Sequence, residues 1–307
     1  MGNDRWKLVL AFAAVYIIWG STYLGILIAL KSFPPFLMTA LRFLLAGILL
    51  LAWRTWKHDQ VPSLKSIQQN GFAGILTLFG GVGSVGWAEQ YLSSGHAAII
   101  VTAIPFWFVL FDRKQWRFYF SNKIILAGLL FGFAGVAILV GFSSPDNNRS
   151  GHFHEQLIGS LIIMAGGIAW TTGSLYSKYN IGGASPLMNA GLQFLVAGIF
   201  SMIVSGLSGE WEHFHIRQIS APSALALFYL VTMGSLVTYL AYLWLLKKRP
   251  AAQVSSYVYV NPVIALLLGA GIANEKITWL QVVALAVILC GVIMVNVPKY
   301  TRRVEVH

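Results

Sequence analysis

The chain has 307 residues, of which 57% are hydrophobic and only 10% charged, with a mean hydropathy of +0.70. Soluble domains run at about 45–50% apolar and about 25% charged, so the composition excludes a disordered or fibrous protein and points away from a soluble one. The net charge of +11 raises nucleic acid as a partner, but the basic residues stand in short clusters between long apolar runs, as membrane topology requires.

A bilayer core takes about 20 apolar residues per helix. In chain order, ten runs meet that length: 8–30, 35–53, 71–92, 94–112, 123–142, 157–178, 187–206, 222–246, 252–273 and 278–297. They are apolar all round, whereas membrane strands alternate over about 9–11 residues. The expected fold is therefore an all-α integral membrane protein with ten transmembrane helices. The first run reads as a retained span. Its 23 residues exceed the h-region of a signal peptide, about 7–15, and Lys31-Ser32-Phe33-Pro34-Pro35 follows it instead of a small-residue cleavage site. The longest connections, 54–70 and 142–156, are too short to fold as domains.

With the N-terminus inside, 16 Lys and Arg fall in cytoplasmic segments and 4 outside, while Arg42 lies within a span. This split predicts a multi-pass protein of the cell membrane with both termini cytoplasmic. It also removes nucleic acid as a partner, since no folded domain gathers the charge. The lone Cys290 cannot form an intrachain disulfide. No His-Glu-x-x-His or phosphate-loop pattern occurs, so no metal and no cofactor is expected.

The halves repeat. A shift of 151 residues carries Trp19 to Trp170, Pro35 to Pro186, and Leu41-Arg42-Phe43-Leu44-Leu45-Ala46-Gly47-Ile48 to Leu192-Gln193-Phe194-Leu195-Val196-Ala197-Gly198-Ile199. Further on, Ala97-Ala98 corresponds to Ala251-Ala252 and Gly135-Val136 to Gly291-Val292. The expected units are 1–145 and 157–297, followed by a cytoplasmic tail, 298–307. Each unit has five spans, an odd number, so the second enters the membrane inverted. Many secondary transporters are built this way, around a site near the midplane.

Ile17-Ile18-Trp19-Gly20-Ser21-Thr22-Tyr23, Pro34-Pro35, Arg42-Phe43-Leu44, Ala88-Glu89, Ser94-Gly95 and Ser256-Tyr257-Val258-Tyr259-Val260-Asn261-Pro262-Val263 together resemble the EamA-type branch of the drug/metabolite transporter superfamily. The pattern continues through Gly269, Glu275 and Gly291 over nearly the whole chain. The resemblance implies two inverted five-helix bundles in a bacterial inner membrane, an export role, and small metabolite substrates, often amino acids. It also implies a central cavity lined mainly by the first, third, fourth, sixth, eighth and ninth helices. Many members carry a first-half Glu equivalent to Glu275; this chain has Phe111-Asp112-Arg113 there.

Glu89 and Arg42 are the intramembrane charges. A charge at a helix centre costs about 2.5–3.5 kcal/mol on insertion scales, so each marks a site or a pair. Their similar depth predicts a salt bridge, acting as an outer gate; the alternative is a substrate-ammonium or proton site at Glu89. Trp19 and Trp170 lie too deep for an interfacial belt and read as cavity walls or core. The ninth span carries Gln253, Ser255, Ser256, Tyr257, Tyr259 and Asn261, polar groups that must face protein or water. Pro262 and Pro105 are expected to kink the ninth and fourth spans, freeing the carbonyls of Val258 and Val101. The candidate cavity set is Trp19, Tyr23, Glu89, Thr102, Trp170, Tyr257 and Asn261. Gly128-x-x-x-Gly132 serves either intrachain packing or a homodimer. His152, His154, His213 and His215 read as solvated loop residues.

The function expected is secondary transport of a small neutral or zwitterionic metabolite by alternating access. The alternatives are a membrane enzyme acting on a lipid-linked substrate, for which no nucleophile–base set is found, and a structural or sensory membrane protein.

Overall fold

A computed structural model describes residues 2–60, 62–92, 97, 100–141, 153–182, 184–212, 214–273 and 279–296. The principal helices among them are α1 (Gly2–Ala29), α2 (Pro35–Trp56), α3 (Leu64–Ala88), α4 (Ile104–Phe111), α5 (Lys123–Gly141), α6 (Phe153–Asn180), α7 (Pro186–Leu207), α8 (Ala221–Lys248), α9 (Tyr257–Ala273) and α10 (Trp279–Asn296). Taken singly, α1, α2, α3, α6, α7 and α8 are long and apolar enough to cross a bilayer. Glu275, His152, His213 and the 298–307 tail lie outside the described residues.

Local chemistry starts these helices. Ser63, Ser185 and Ser220 accept the backbone N–H three residues on, capping α3, α7 and α8. Pro35 and Pro186 open α2 and α7, where a missing N–H costs nothing. The first turn of α2 is also capped from the other half: Phe36 and Leu37 donate their N–H groups to the Glu210 carboxylate at 3.0 and 2.8 Å.

Three features differ from the sequence reading. First, α3 starts at Leu64, not near 71, because the Ser63 cap extends it. Second, the runs 94–112 and 252–273 are not continuous. A turn at Thr102-Ala103 precedes α4, and a turn at Ser255-Ser256 separates the short helix Ala251–Val254 from α9. Pro105 therefore sits in the first turn of α4 and does not kink a helix interior. Pro262 does lie inside α9. Third, α3 and α8 each contain a π-helical stretch, Ile75–Gly83 and Leu230–Val237. Aligned through the Ala97/Ala251 match, these stretches occupy corresponding positions of the two halves. Such widening re-aims side chains and backbone carbonyls and recurs at functional sites.

Helix packing relates equivalent elements. A Cβ added to Gly47 would meet the Leu195 backbone nitrogen at 2.7 Å, and one added to Gly198 would meet that of Leu44, also at 2.7 Å. Under the 151-residue shift each contact is the image of the other. Gly191 likewise abuts Leu51. Moving forward along α2 moves backward along α7, so the two helices are antiparallel. The pair α5 and α10 behaves the same way: a Cβ added to Gly135 would meet the Ala284 carbonyl oxygen at 3.1 Å, and one added to Gly291 would meet that of Gly128 at 2.7 Å. Gly128 thus faces α10, and Gly132 faces the Tyr259 ring of α9, so both glycines pack within the chain. Between these pairs, α1 packs on α8 and α9, and α3 on α6.

Candidate functional site

A cavity of ≈ 90 Å³ lies where α1, α2, α3, α4, α6 and α9 converge. Its walls include Trp19, Thr22, Tyr23 and Ile26 of α1, Arg42 of α2, Val82 and Val85 of α3, and Tyr257 and Asn261 of α9. Glycines make the space. Gly81 has the Trp170 ring 2.7 Å from where its Cβ would be, and Gly166 leaves no room for a Cβ beside Ser84. Both line the cavity.

An aromatic cluster closes one end. Trp19 meets Tyr257 at 4.8 Å, Tyr242 at 5.1 Å and Trp170 at 5.5 Å between ring centroids, and Trp170 meets Tyr242 at 5.3 Å. These are edge-to-face and tilted arrangements, which the ring quadrupoles favour. Tyr242 had no distinguishing sequence signal, since it does not break the apolar pattern of its span, and Thr22 stood in the Ile17–Tyr23 motif without being singled out.

The polar groups divide into satisfied and unsatisfied sets. Trp19 donates its indole N–H to the Gly234 carbonyl in the π stretch of α8 at 2.9 Å. Thr22 donates back to Trp19 within α1. Among the described residues, four buried side-chain atoms have no hydrogen-bond partner: both Glu89 carboxyl oxygens, Trp170 Nε1 and Asn261 Oδ1. Tyr23 joins two members of this set, with its phenol beside Asn261 and within electrostatic reach of Glu89.

The expected Arg42–Glu89 salt bridge does not form. Among the described residues the only ion pair joins Arg54 to Asp59. Arg42 is 3% exposed and turns toward α8, donating from Nε to Ser235 Oγ at 2.9 Å, with its guanidinium over the Phe43 ring at 5.2 Å. Gly234 leaves room for it: a Cβ there would sit 3.0 Å from Arg42 Nη2. Depth along a helix is legible in a sequence, but the direction a side chain takes around the axis is not. Glu89, directly after α3, is also 3% exposed; it does not line the cavity, although it is within electrostatic reach of Tyr23, which does. Of the remaining candidates, Thr102 is fully buried at the turn before α4 and does not line the cavity.

In the second half a neutral network takes the place of the Arg42 charge. Gln193, equivalent to Arg42, accepts from the Tyr239 hydroxyl at 2.6 Å and donates to Asn70 Oδ1 at 2.9 Å and Ser177 Oγ at 3.3 Å. Asn70 donates onward to Asn189 at 2.9 Å. The network ties α3 to α6, α7 and α8. Asn70 went unnoticed in the sequence because the third span was started one residue beyond it.

No group of His, Cys, Asp and Glu that could hold a metal occurs among the described residues. The cavity wall offers hydrogen-bond donors and acceptors, one buried cation, Arg42, and aromatic faces.

Residues 6–141 and 157–297 each match the EamA-like transporter family. The chain is 35% identical over 294 residues to the uncharacterized inner membrane transporter YedA of Escherichia coli (strain K12), covering 94% of this chain and 90% of that protein. It is 26% identical to the uncharacterized transporter YvbV of Bacillus subtilis (strain 168), covering 98% and 94%. A solved crystal structure with 20% sequence identity shares the fold at a TM-score of 0.73, covering 94% of this chain and 96% of that one. The chain belongs to the EamA-like transporter family.

Proposed function

We propose that the protein is a secondary transporter of the inner membrane that exports a small neutral or zwitterionic metabolite, an amino acid or a related compound. Transport proceeds by alternating access through the cavity between α1, α3, α6 and α9. In this reading ten helices form two inverted five-helix repeats, 1–145 and 157–297, with both termini cytoplasmic. The mirrored Gly47–Leu195 and Gly198–Leu44 contacts support an inverted repeat, and the 16-to-4 distribution of basic residues supports the orientation.

The observation that carries the reading is the unsatisfied chemistry in and near the cavity wall: Arg42, Trp170 and Asn261 line it, and Glu89 lies within electrostatic reach of the lining residue Tyr23. Arg42 and Glu89 are buried and not paired with each other, and Trp170 Nε1 and Asn261 Oδ1 lack partners. Leaving such groups unpaired is costly. A solute with one carboxylate and one ammonium complements them: the carboxylate suits Arg42 and the Trp170 N–H, and the ammonium suits Glu89 and the Asn261 carbonyl. A multiply charged anion would leave charge uncompensated. A cavity of ≈ 90 Å³ holds several waters, and so admits a small solute.

Counterflow in proteoliposomes tests this. Vesicles preloaded with unlabelled neutral amino acids should accumulate the labelled compound transiently above protein-free vesicles. No accumulation for any neutral amino acid, with accumulation of a dianion such as succinate, would overturn it.

A further inference from the structure

A second cavity, of ≈ 160 Å³, lies away from the aromatic cluster, where the last turns of α6 and α8 meet the first turn of α7. It lies at helix ends, where the distribution of basic residues puts the cytoplasmic bilayer surface. Its walls are apolar, including Leu187, Leu243, Leu246 and Trp244, and Lys178 and Lys247 are among its lining residues. No acidic residue lines it. Asp112 is within electrostatic reach of Lys178, but its two oxygens already accept from Tyr119 at 2.9 Å and Tyr179 at 2.6 Å. Among the described residues Lys178 gives one hydrogen bond, to the Arg249 carbonyl at 3.0 Å, and its ammonium lies over the Tyr179 ring at 5.4 Å; an ammonium can donate three. Lys247 is exposed.

The repeat isolates these lysines as a separate device. Under the 151-residue shift, Lys178 corresponds to Leu27 and Leu187 to Phe36, so the cation has no counterpart at the equivalent end of α1. The floor of the pocket is closed by the Gln193–Asn189 network, whose amides are bonded among themselves. What remains for a ligand is a rim of two cations above aliphatic and indole walls. From this we infer that the pocket binds an anionic phospholipid, its headgroup phosphate held between Lys178 and Lys247 and its glycerol and upper acyl segment against Leu187, Leu243 and Trp244. Basic pockets between helices at the bilayer surface bind acidic headgroups for this physical reason: charge attraction adds to apolar burial.

The test uses the purified full-length protein in detergent, titrated with dioleoyl phosphatidylglycerol or dioleoyl phosphatidylcholine while thermal unfolding is followed. Phosphatidylglycerol should raise the midpoint saturably beyond the phosphatidylcholine response. Lys247→Gln, at an exposed side chain, should weaken the half-saturating concentration about fivefold, and Lys178→Gln/Lys247→Gln should abolish the difference between the two lipids. Lys57→Gln/Lys65→Gln removes the same charge outside the pocket and should keep that difference. The inference is overturned if the wild type does not distinguish the lipids, if Lys247→Gln responds as the wild type does, or if the Lys57→Gln/Lys65→Gln control loses the difference equally. It is also overturned if glycerol 3-phosphate, the soluble headgroup fragment, reproduces the whole effect, because a soluble phosphate would then be the ligand.

Discussion

Trp19 and Trp170 hold equivalent places in the two halves, yet only Trp19 donates a hydrogen bond of good geometry; Trp170 Nε1 has only the Tyr242 and Tyr257 phenols near it. The Trp19 indole N–H reaches the Gly234 carbonyl in the π stretch of α8 at 2.9 Å, whereas Trp170 Nε1 is buried without a well-placed acceptor. The repeat is therefore broken where the cavity forms. Trp19→Phe should strand the Gly234 carbonyl and lower stability by about 1–3 kcal/mol. Trp170→Phe removes an already unsatisfied donor and should cost less, while weakening solute binding. Thermal unfolding with and without the transported solute separates these effects; an equal loss of stability in both variants would contradict the assignment.

The close approach of α2 and α7 predicts symmetric sensitivity. Gly47→Ala and Gly198→Ala each push a Cβ to 2.7 Å from a backbone nitrogen of the opposite helix. Each should destabilise the protein by about 1–3 kcal/mol through overpacking. Gly206→Ala, with nothing within 4 Å, should be neutral or slightly stabilising. Unfolding midpoints of the purified variants check the contrast.

These glycines also show what a sequence discloses. Run length and hydropathy mark most of the helices because lipid tolerates few alternatives to a long apolar helix. The repeat was visible because Trp, Pro and Gly-containing segments coincide at a single shift. The π stretches in α3 and α8 were not visible, since they change backbone hydrogen-bond register without changing composition. The turn at Thr102-Ala103 was misread as a kink at Pro105, because a proline can sit in a helix interior or in a first turn and its neighbours do not distinguish the two. Trp19, Tyr23, Arg42, Trp170, Tyr257 and Asn261 were identifiable as unusual residues in apolar spans. Their convergence depends on tertiary packing, and Arg42 takes its partner from α8 because Gly234 leaves the space there.

The Gln193 network should behave as one unit. Gln193→Leu leaves Asn70 Oδ1 and the Tyr239 hydroxyl without this partner and should cost about 2–3 kcal/mol. Tyr239→Phe removes one donor and should cost less. The double variant should cost less than the two single changes added together, because the groups share the same bonds. Strict additivity in unfolding free energy would show that they act independently.

At the end of α2, Asp59 joins the halves by accepting from Arg54 and from Ser185 Oγ, the latter at 2.6 Å. The hydrogen bonds from Arg54, and then that from Ser185, hold its carboxyl below the usual carboxylate range. A depressed folded value means that the contribution to stability is fully present above the unfolded carboxylate pKa, about 4. It is lost as pH falls through the folded value. Asp59→Asn should therefore be less stable than the wild type near neutral pH, and the gap should close on acidification below about pH 4. The site is partly exposed, so the gap should be small and should shrink with added salt. A gap that widens on acidification would reverse the sign of the argument.

The central claim is that Arg42 and Glu89, buried but not paired, receive the two charges of one solute. Counterflow by the wild type should be compared for a neutral amino acid, its carboxamide and its N-acetyl derivative. In Arg42→Gln and Glu89→Gln the same three compounds should be measured. The account predicts that the zwitterion is preferred by the wild type. Arg42→Gln should lose the discrimination against the carboxamide, and Glu89→Gln the discrimination against the N-acetyl compound. If both variants keep the wild-type order of preference among the three, neither charge reads the solute and the account is wrong.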